Sequence, residues 1–514
     1  MSAVRTLLML SFSATLLAAQ SMPRDFDAYV DRVMKTFNVP GVAVAVVKDG
    51  KVVLAKGYGV KRTGEAGTVD ERTNFSIASN TKAFIGTSLG MLVDDGKLSW
   101  NDRVVDILPW FQMSDPYVTR EMRIIDLLTH RSGLGLGAGD LLIWPTNTYT
   151  QKEVVRRFRH VPLAASFRST YAYDNILYLI AGEVIEAVSG QTWDEFVRTR
   201  IFRTLGMDAS ALTFTEAVRM GTNATPHAEI AGTVRPVAAS DSDKTNPAAT
   251  INTNARDITA WMMCQLDSGR LSDGSRLFSA SVARQLWSVV TPLSVPKMPP
   301  ELAPYQANFA GYGGGFNLRD YRGKKLVWHT GGLSGFVSLV ALIPEERLGV
   351  AVFTNQEVGQ AFYAIGWRAL DHFLGAKYDW LTAYRTVKAR ADSTNAAAEK
   401  KTAASRDSLS TPSLPLERYA GRYTDRWYGD ITIEVRDGQL FLQMVPTPSL
   451  GGFLEHYQYD TFIARWSDPE MRADAFVTFS LTPEGKVEQA KMKAVSPATD
   501  FSFDFHDLTL KPVK

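Results

Sequence analysis

A single cysteine, Cys264, stands in the 514 residues, so no disulfide can form within the chain. It lies in AWMMCQLDSG, an apolar helical pattern, and reads as a small core side chain rather than a catalytic thiol. An excess of either charge is also lacking. Lys plus Arg number 56 against 54 Asp plus Glu, a net charge of +2. That balance argues against nucleic acid as a partner and against attraction to a membrane surface. HExxH, paired CxxC and GxxxxGK[ST] are all missing, so the common zinc and P-loop chemistries have no anchor. No metal or organic cofactor is implied.

Long apolar runs are missing too, with one exception. MSAVRTLLMLSFSATLLAAQ carries Arg5 and then an apolar run from Leu7 to Ala19, too short to span a bilayer. Residues 1–20 read as a secretory signal peptide cut near Ala19 or Gln20, with a retained single-span anchor as the alternative. The mature chain is expected to be exported, periplasmic or secreted, with no stable membrane association after cleavage.

What is present is ordinary globular material, 45% hydrophobic and 21% charged, with room for about two to four domains. Residues 22–385 mix helix and strand signals. GVAVAVVKDGKVVLAKGYG reads as a hairpin turning at Asp49-Gly50. Ser79 to about Asp94 has helical spacing, with Gly96 as its stop. RIIDLLTHRSGL and YLIAGEVIEAVSG read as helices ending at glycine, and KLVWHTGGLSGFVSLVALIPEERLGVAVFTN as strands returning to a sheet. Strands at both ends with helices between predict an α/β domain closed by distant parts of the chain. Residues 386–415 have almost no large apolar side chain and read as a linker. From 416 to 514 helix signals vanish. GDITIEVRDGQLFLQM, DTFIARW, AFVTFSL, KVEQAKMKAV and FSFDFHDLTL predict a small all-β domain of about eight strands, a barrel or strongly curved sheet.

The chemistry starts at FSIASNTKAF. Ser79 and Lys82 are three apart, which on a helix puts both on one face. A serine hydroxyl needs a base, and a buried lysine kept partly neutral can serve. A helix N-terminus beside Ser79 favours a developing oxyanion. Alone, this pair reads first as a cap followed by a solvated lysine. The second Ser-x-x-Lys, Ser294 to Lys297, holds Pro296 and lies in the proline-rich TPLSVPKMPP, so an ordinary helical turn is denied to it.

Two further motifs occur once each: Tyr173-Asp174-Asn175 and His329-Thr330-Gly331. Ser-x-x-Lys, Tyr-x-Asn and [Lys/His]-Thr-Gly in that order resemble the serine β-lactamase and penicillin-binding-protein-like hydrolases. SIASNTKAF, LTHRSGL, YDNILYLIAGEVIEAVSG and WHTGGLSGF are similar to the branch with class C β-lactamases, DD-peptidases, D-aminopeptidases and esterases. The resemblance spans about residues 25 to 375. It implies a β-lactamase/transpeptidase-like α/β (α+β) fold, an antiparallel sheet flanked by helices with an all-helical lobe. It also implies roles. Ser79 would be the acylated nucleophile, Lys82 would help take its proton, and Tyr173 would be the partner general base. Asn175 would bond a substrate amide. His329, Thr330 and Gly331 would line the cleft, and the N–H groups of Ser79 and Gly332 would form the oxyanion hole. The C-terminal domain resembles the lipocalin-like domain of some peptidase members, which can cover the cleft. Its aromatics Tyr423, Trp427, Tyr428 and Tyr457 are expected in the core, since a small barrel needs them inside.

Departures matter as well. His329 stands where β-lactamases usually carry lysine, and a histidine titrates in the working range. Asp174 in the middle of the second motif would repel an anion, attract an amino terminus, or point away. In GAGDLLIWPTNTY, Asp140 and Trp144 are candidates for substrate contact, with a self-packed loop as the alternative. His130 is expected to satisfy carbonyls at a helix end. The leading expectation is an exported serine hydrolase of small-molecule or short-peptide substrates, with D-residue or cell-wall peptides favoured. A carboxylesterase, a true β-lactamase and a non-catalytic binding protein are the alternatives. An oligomer is compatible with the sequence.

Overall fold

A computed structural model describes residues 21–239 and 247–513, so the signal-peptide reading of residues 1–20 lies outside the described residues. Two compact units separate. Of the described residues, the first holds 21–98, Gln191–Ala239 and Ala249–Lys388, and the second chiefly Ser99–Gly190 and 389–513. Residues 99–190 group with the C-terminal β domain in the second unit. The helix Trp380–Ala404 runs through most of the segment read as a linker.

The first unit is built on an eight-stranded antiparallel sheet. Its spatial order is Lys51–Gly59, Gly41–Lys48, Leu348–Thr354, Phe336–Ile343, Lys324–Leu333, Asn317–Tyr321, Ala310–Tyr312 and Thr291–Pro292. The N-terminal hairpin turns at Asp49 (φ 51°) and Gly50 (φ 73°), the two left-handed residues that a type I′ turn requires. The next neighbour, Leu348–Thr354, comes from some 300 residues further along. Gly41–Val47 and Leu348–Thr354 are buried throughout. Both faces are therefore covered, which is why these strands read as unbroken apolar runs. Val42, Val44 and Val46 meet the helices Phe26–Phe37 and Gly359–Phe373 in one core. The helix Asp257–Leu266 packs on the same central strands, and its Trp261 stacks on Phe84 of the helix Thr81–Asp94 at 3.8 Å.

The second unit contains the helical lobe and the β domain. The lobe's longest helix, Ile176–Ser189, ends at Gly190 in the left-handed conformation, as its glycine stop predicts. The helix in RIIDLLTHRSGL is only Ile124–Leu128, because His130 (φ 54°) turns the chain well before Gly133. The β domain is a nearly closed, eight-stranded antiparallel barrel-like sheet. It starts at Val487–Ala494, ends at Lys511–Pro512, and an Ala490–Leu510 bridge brings its two ends together. Tyr423, Trp427, Tyr428 and Tyr457 are all buried, as expected of the core of a small barrel.

FSFDFHDLTL departs from its strand reading. Phe501–Asp504 is irregular and Phe505–Asp507 is a 3-10 turn. The alternation is real but both halves are used. Phe503 and Phe505 pack inside the barrel, while Ser502 and Asp504 are buried against the loop at 137–141. Side-chain and loop bonds replace the ladder that a strand would have made.

Candidate active site

In the first unit, Ala78–Asn80 forms a 3-10 turn that leads into the helix Thr81–Asp94. Ala78 holds φ 47°, a left-handed value costly for a residue with a Cβ. The surroundings hold it there. Ile77 N–H donates to Ile251 O at 2.9 Å, and Ser338 Oγ donates to Ile77 O at 2.7 Å. Asn80 Nδ2 donates to Ser338 Oγ at 2.8 Å. Gly331 lies so close that a Cβ there would collide with Ile77 O. A glycine at the third position of His-Thr-Gly is thus demanded by the approach of the strand to the turn that carries Ser79.

Lys82 is wholly buried, and its Nζ lies 3.0 Å from Ser79 Oγ. The helix bearing it packs against a glycine run. A Cβ at Gly315 would sit 2.6 Å from Lys82 O, and one at Gly86 would strike Gly314 O. The sequence pair therefore becomes a buried amine in contact with a half-exposed hydroxyl. The second Ser-x-x-Lys lies outside any helix.

The strand Lys324–Leu333 pairs with Phe336–Ile343 over Val327 to Leu333. On its other edge the ladder with Asn317–Tyr321 ends at Trp328. Past that point no strand among the described residues covers the edge at Thr330 to Gly332. Gly332 is exposed, with nothing near its Cα face. An open strand edge beside a nucleophile can take an extended substrate by main-chain hydrogen bonds.

His329 corrects an expectation. Its ring is 4% exposed and does not titrate in the working range. Burial pushes its pKa down to about 3. Nδ1 donates to Thr330 O at 2.5 Å, and Nε2 accepts from Tyr312 Oη at 2.8 Å. The imidazole is neutral and turned inward, so it offers no cation for a substrate carboxylate.

In the second unit, Tyr173 is partly buried and its ring lies 4.2 Å from that of His130. His130 Nδ1 accepts from the Asp174 N–H at 3.1 Å, which puts the proton of the neutral ring on Nε2. Asp174 is buried, and its carboxylate takes the Leu177 N–H at 3.4 Å at the helix start, so it points away from any substrate. Asn175 precedes that helix, and its Nδ2 donates to Asp140 Oδ2 at 2.8 Å. Asp140 is wholly buried and so is not itself a contact residue; Trp144 is half-buried.

The loop from Gly137 to Tyr149 is fastened by the barrel. Asp504 accepts the N–H groups of Gly139 at 2.6 Å and Leu141 at 3.0 Å. Ser502 Oγ donates to Asp140 at 2.8 Å, Thr148 N–H to Pro446 O at 2.8 Å, and Tyr149 Oη to Tyr428 O at 2.8 Å. The Asp504 carboxyl is pushed well above the usual range by burial and by Asp140. Sequence reasoning missed Ser502 and Asp504. Their signal was available: two polar residues alternate with three phenylalanines, without the exposed face that an ordinary strand would give them.

Residues 26–374 match the family model described as beta-lactamase. The chain belongs to the beta-lactamase family. Residues 405–512 match a second model, described as a domain of unknown function, DUF3471. An unguisins hydrolase of Aspergillus violaceofuscus is 27% identical over 494 residues, covering 90% of this chain and 86% of its own length. Penicillin-binding protein 4 of Amycolatopsis lactamdurans is 29% identical over 66% of this chain and 87% of its own length. An octameric penicillin-binding protein homologue from Pyrococcus abyssi superposes with a TM-score of 0.61 at 19% identity, over 95% of this chain and 99% of its own. That likeness shows a shared fold across both the sheet domain and the barrel. Beta-lactamase-family membership and hydrolase relatives make this chain a hydrolase. Among the described residues no helix is long and apolar enough to cross a membrane, and no group of metal-ligating side chains stands together.

Proposed function

We propose that the protein is an exported serine hydrolase that cleaves amide or ester bonds of small molecules or short peptides through a Ser79 acyl-enzyme. The observation that carries this reading is the fully buried Lys82 amine 3.0 Å from Ser79 Oγ. Taking an ammonium out of water favours its neutral form, which can accept the serine proton. Ser79 Oγ attacks the substrate carbonyl and its proton passes to Lys82, with Tyr173 in the role of partner base that the family resemblance gives it. The oxyanion gathers on the N–H groups of Ser79 and Gly332. Tyr173 returns the proton to the leaving group, and water then releases the acyl chain by the same steps reversed. Thr330 and Gly331 lie along the substrate strand, and Asn175 bonds the substrate amide.

The neutral His329 supports peptidase or esterase chemistry over β-lactam hydrolysis, since it supplies no fixed positive charge for a carboxylate. The unguisins hydrolase relative supports a small hydrolysable substrate. D-residue and cell-wall peptides are the substrates to try first.

Intact-mass measurement after a fluorophosphonate probe, with peptide mapping, tests the reading. One adduct on Ser79, absent from Ser79→Ala, is expected. Wild-type turnover retained by Ser79→Ala would overturn it.

A further inference from the structure

We infer that Ser502, supplied by the C-terminal barrel, is a positioning residue for Asn175, acting through Asp140. The inference rests on the reading of Asn175 as the residue that bonds the substrate amide.

An asparagine amide has a donor end and an acceptor end of nearly the same shape, and only its partners decide which end faces where. Asp140 is a carboxylate, which only accepts when ionised. It takes Asn175 Nδ2 on Oδ2 at 2.8 Å, which fixes the amide and directs Oδ1 the other way. The same Oδ2 accepts a second bond, 2.8 Å long, from Ser502 Oγ. The two donors share one oxygen, so the Ser502 hydroxyl helps to hold the carboxylate in the rotamer that holds Asn175. Ser502 is itself fixed. Its N–H donates to Asp500 Oδ1 at 2.9 Å, and Phe503 N–H donates to Asp500 O at 3.0 Å.

Docking of the barrel does not by itself call for this bond. Asp504 already takes two loop N–H groups, and Thr148 and Tyr149 are bonded as well. Of these contacts only that of Ser502 ends on the oxygen that orients Asn175. The neighbouring side chain lies on the other motif residue. Phe501 meets the Tyr173 ring edge-on at 6.0 Å and remains 41% exposed. A Cβ at Gly137 would sit 2.8 Å from Phe501 Cδ2 and 2.9 Å from its carbonyl oxygen, so the segment fits only over glycine. Tyr173 O accepts from that same Gly137 at 2.8 Å. One short barrel segment therefore touches the supports of both Tyr173 and Asn175.

The test compares two 4-nitrophenyl esters with one leaving group, N-acetylalanyl and propionyl. Only the first offers an amide to Asn175. Ser502→Ala is expected to lower kcat/KM for the N-acetylalanyl ester about tenfold, the scale of a lost hydrogen bond to a charged group. Propionyl ester turnover and the rate of fluorophosphonate labelling of Ser79 should stay at wild-type values, and Ser502→Thr should restore the loss. Equal losses on both esters, or no loss on either, would overturn the inference and leave the hydrolase reading standing. A wild-type protein that neither labels nor turns over either ester would sink the hydrolase reading, and this inference with it.

Discussion

At the scale of single residues, the Ser79–Lys82 pair was legible because three positions along a helix fix the contact locally. The state of His329 was not. Its burial and its partner come from Tyr312, on a part of the sheet that the motif does not include. The consequence can be measured. A free imidazole gains its proton below about 6.5, but the folded one only near 3. Below the free value the unfolded chain binds the extra proton, so this group withdraws stability as pH falls from 6.5 towards 3. Thermal melts of wild type and His329→Gln should therefore diverge least at acid pH and most at neutral pH, with wild type the more stable there. Any limb of the pH–rate profile between pH 5 and 8 should survive the same substitution, since His329 does not titrate there. Gly331→Ala would press a methyl group into Ile77 O. We expect a cost of about 1–3 kcal/mol by denaturant titration and slower labelling of Ser79.

At the scale of elements, strands and turns with local chemistry were read correctly. The Asp49-Gly50 and Asp437-Gly438 turns have the paired left-handed residues that this dipeptide signals. Gly438→Ala meets no steric obstacle, so it isolates the backbone term and should cost about 1–2 kcal/mol. FSFDF failed because alternation reports two faces without saying what covers each. Here the polar face is covered by another element. Asp504→Ala would leave the Gly139 and Leu141 N–H groups buried without acceptors. A loss of about 2–4 kcal/mol is expected, with a smaller loss in Asp504→Asn, which keeps one acceptor.

At the scale of the whole molecule, the order of helices and strands suggested a hydrolase domain, a linker and an appended barrel. Among the compact units the helical segment 99–190 is grouped with the barrel. Hydrophobic pattern shows where a core exists, but not which surface loop another domain will fasten. The bonds from Ser502, Asp504, Tyr428 and Pro446 to the loop at 137–149 are invisible to it. A chain ending at Ala404 should accordingly become sensitive to limited proteolysis within 137–149, while the full chain resists cleavage there. Equal resistance of the two would show that the loop holds its shape unaided.

The Ser502–Asp140 bond joins residues 362 positions apart. At common rates of synthesis roughly 20–70 s separate the appearance of one from that of the other. Through that interval the helical lobe exists with Asp140 and the N–H groups of Gly139 and Leu141 still facing water. The arrangement around Asn175 is thus among the last parts of the protein that can be completed, and a nascent chain can finish its central sheet before it can finish the loop that holds this amide.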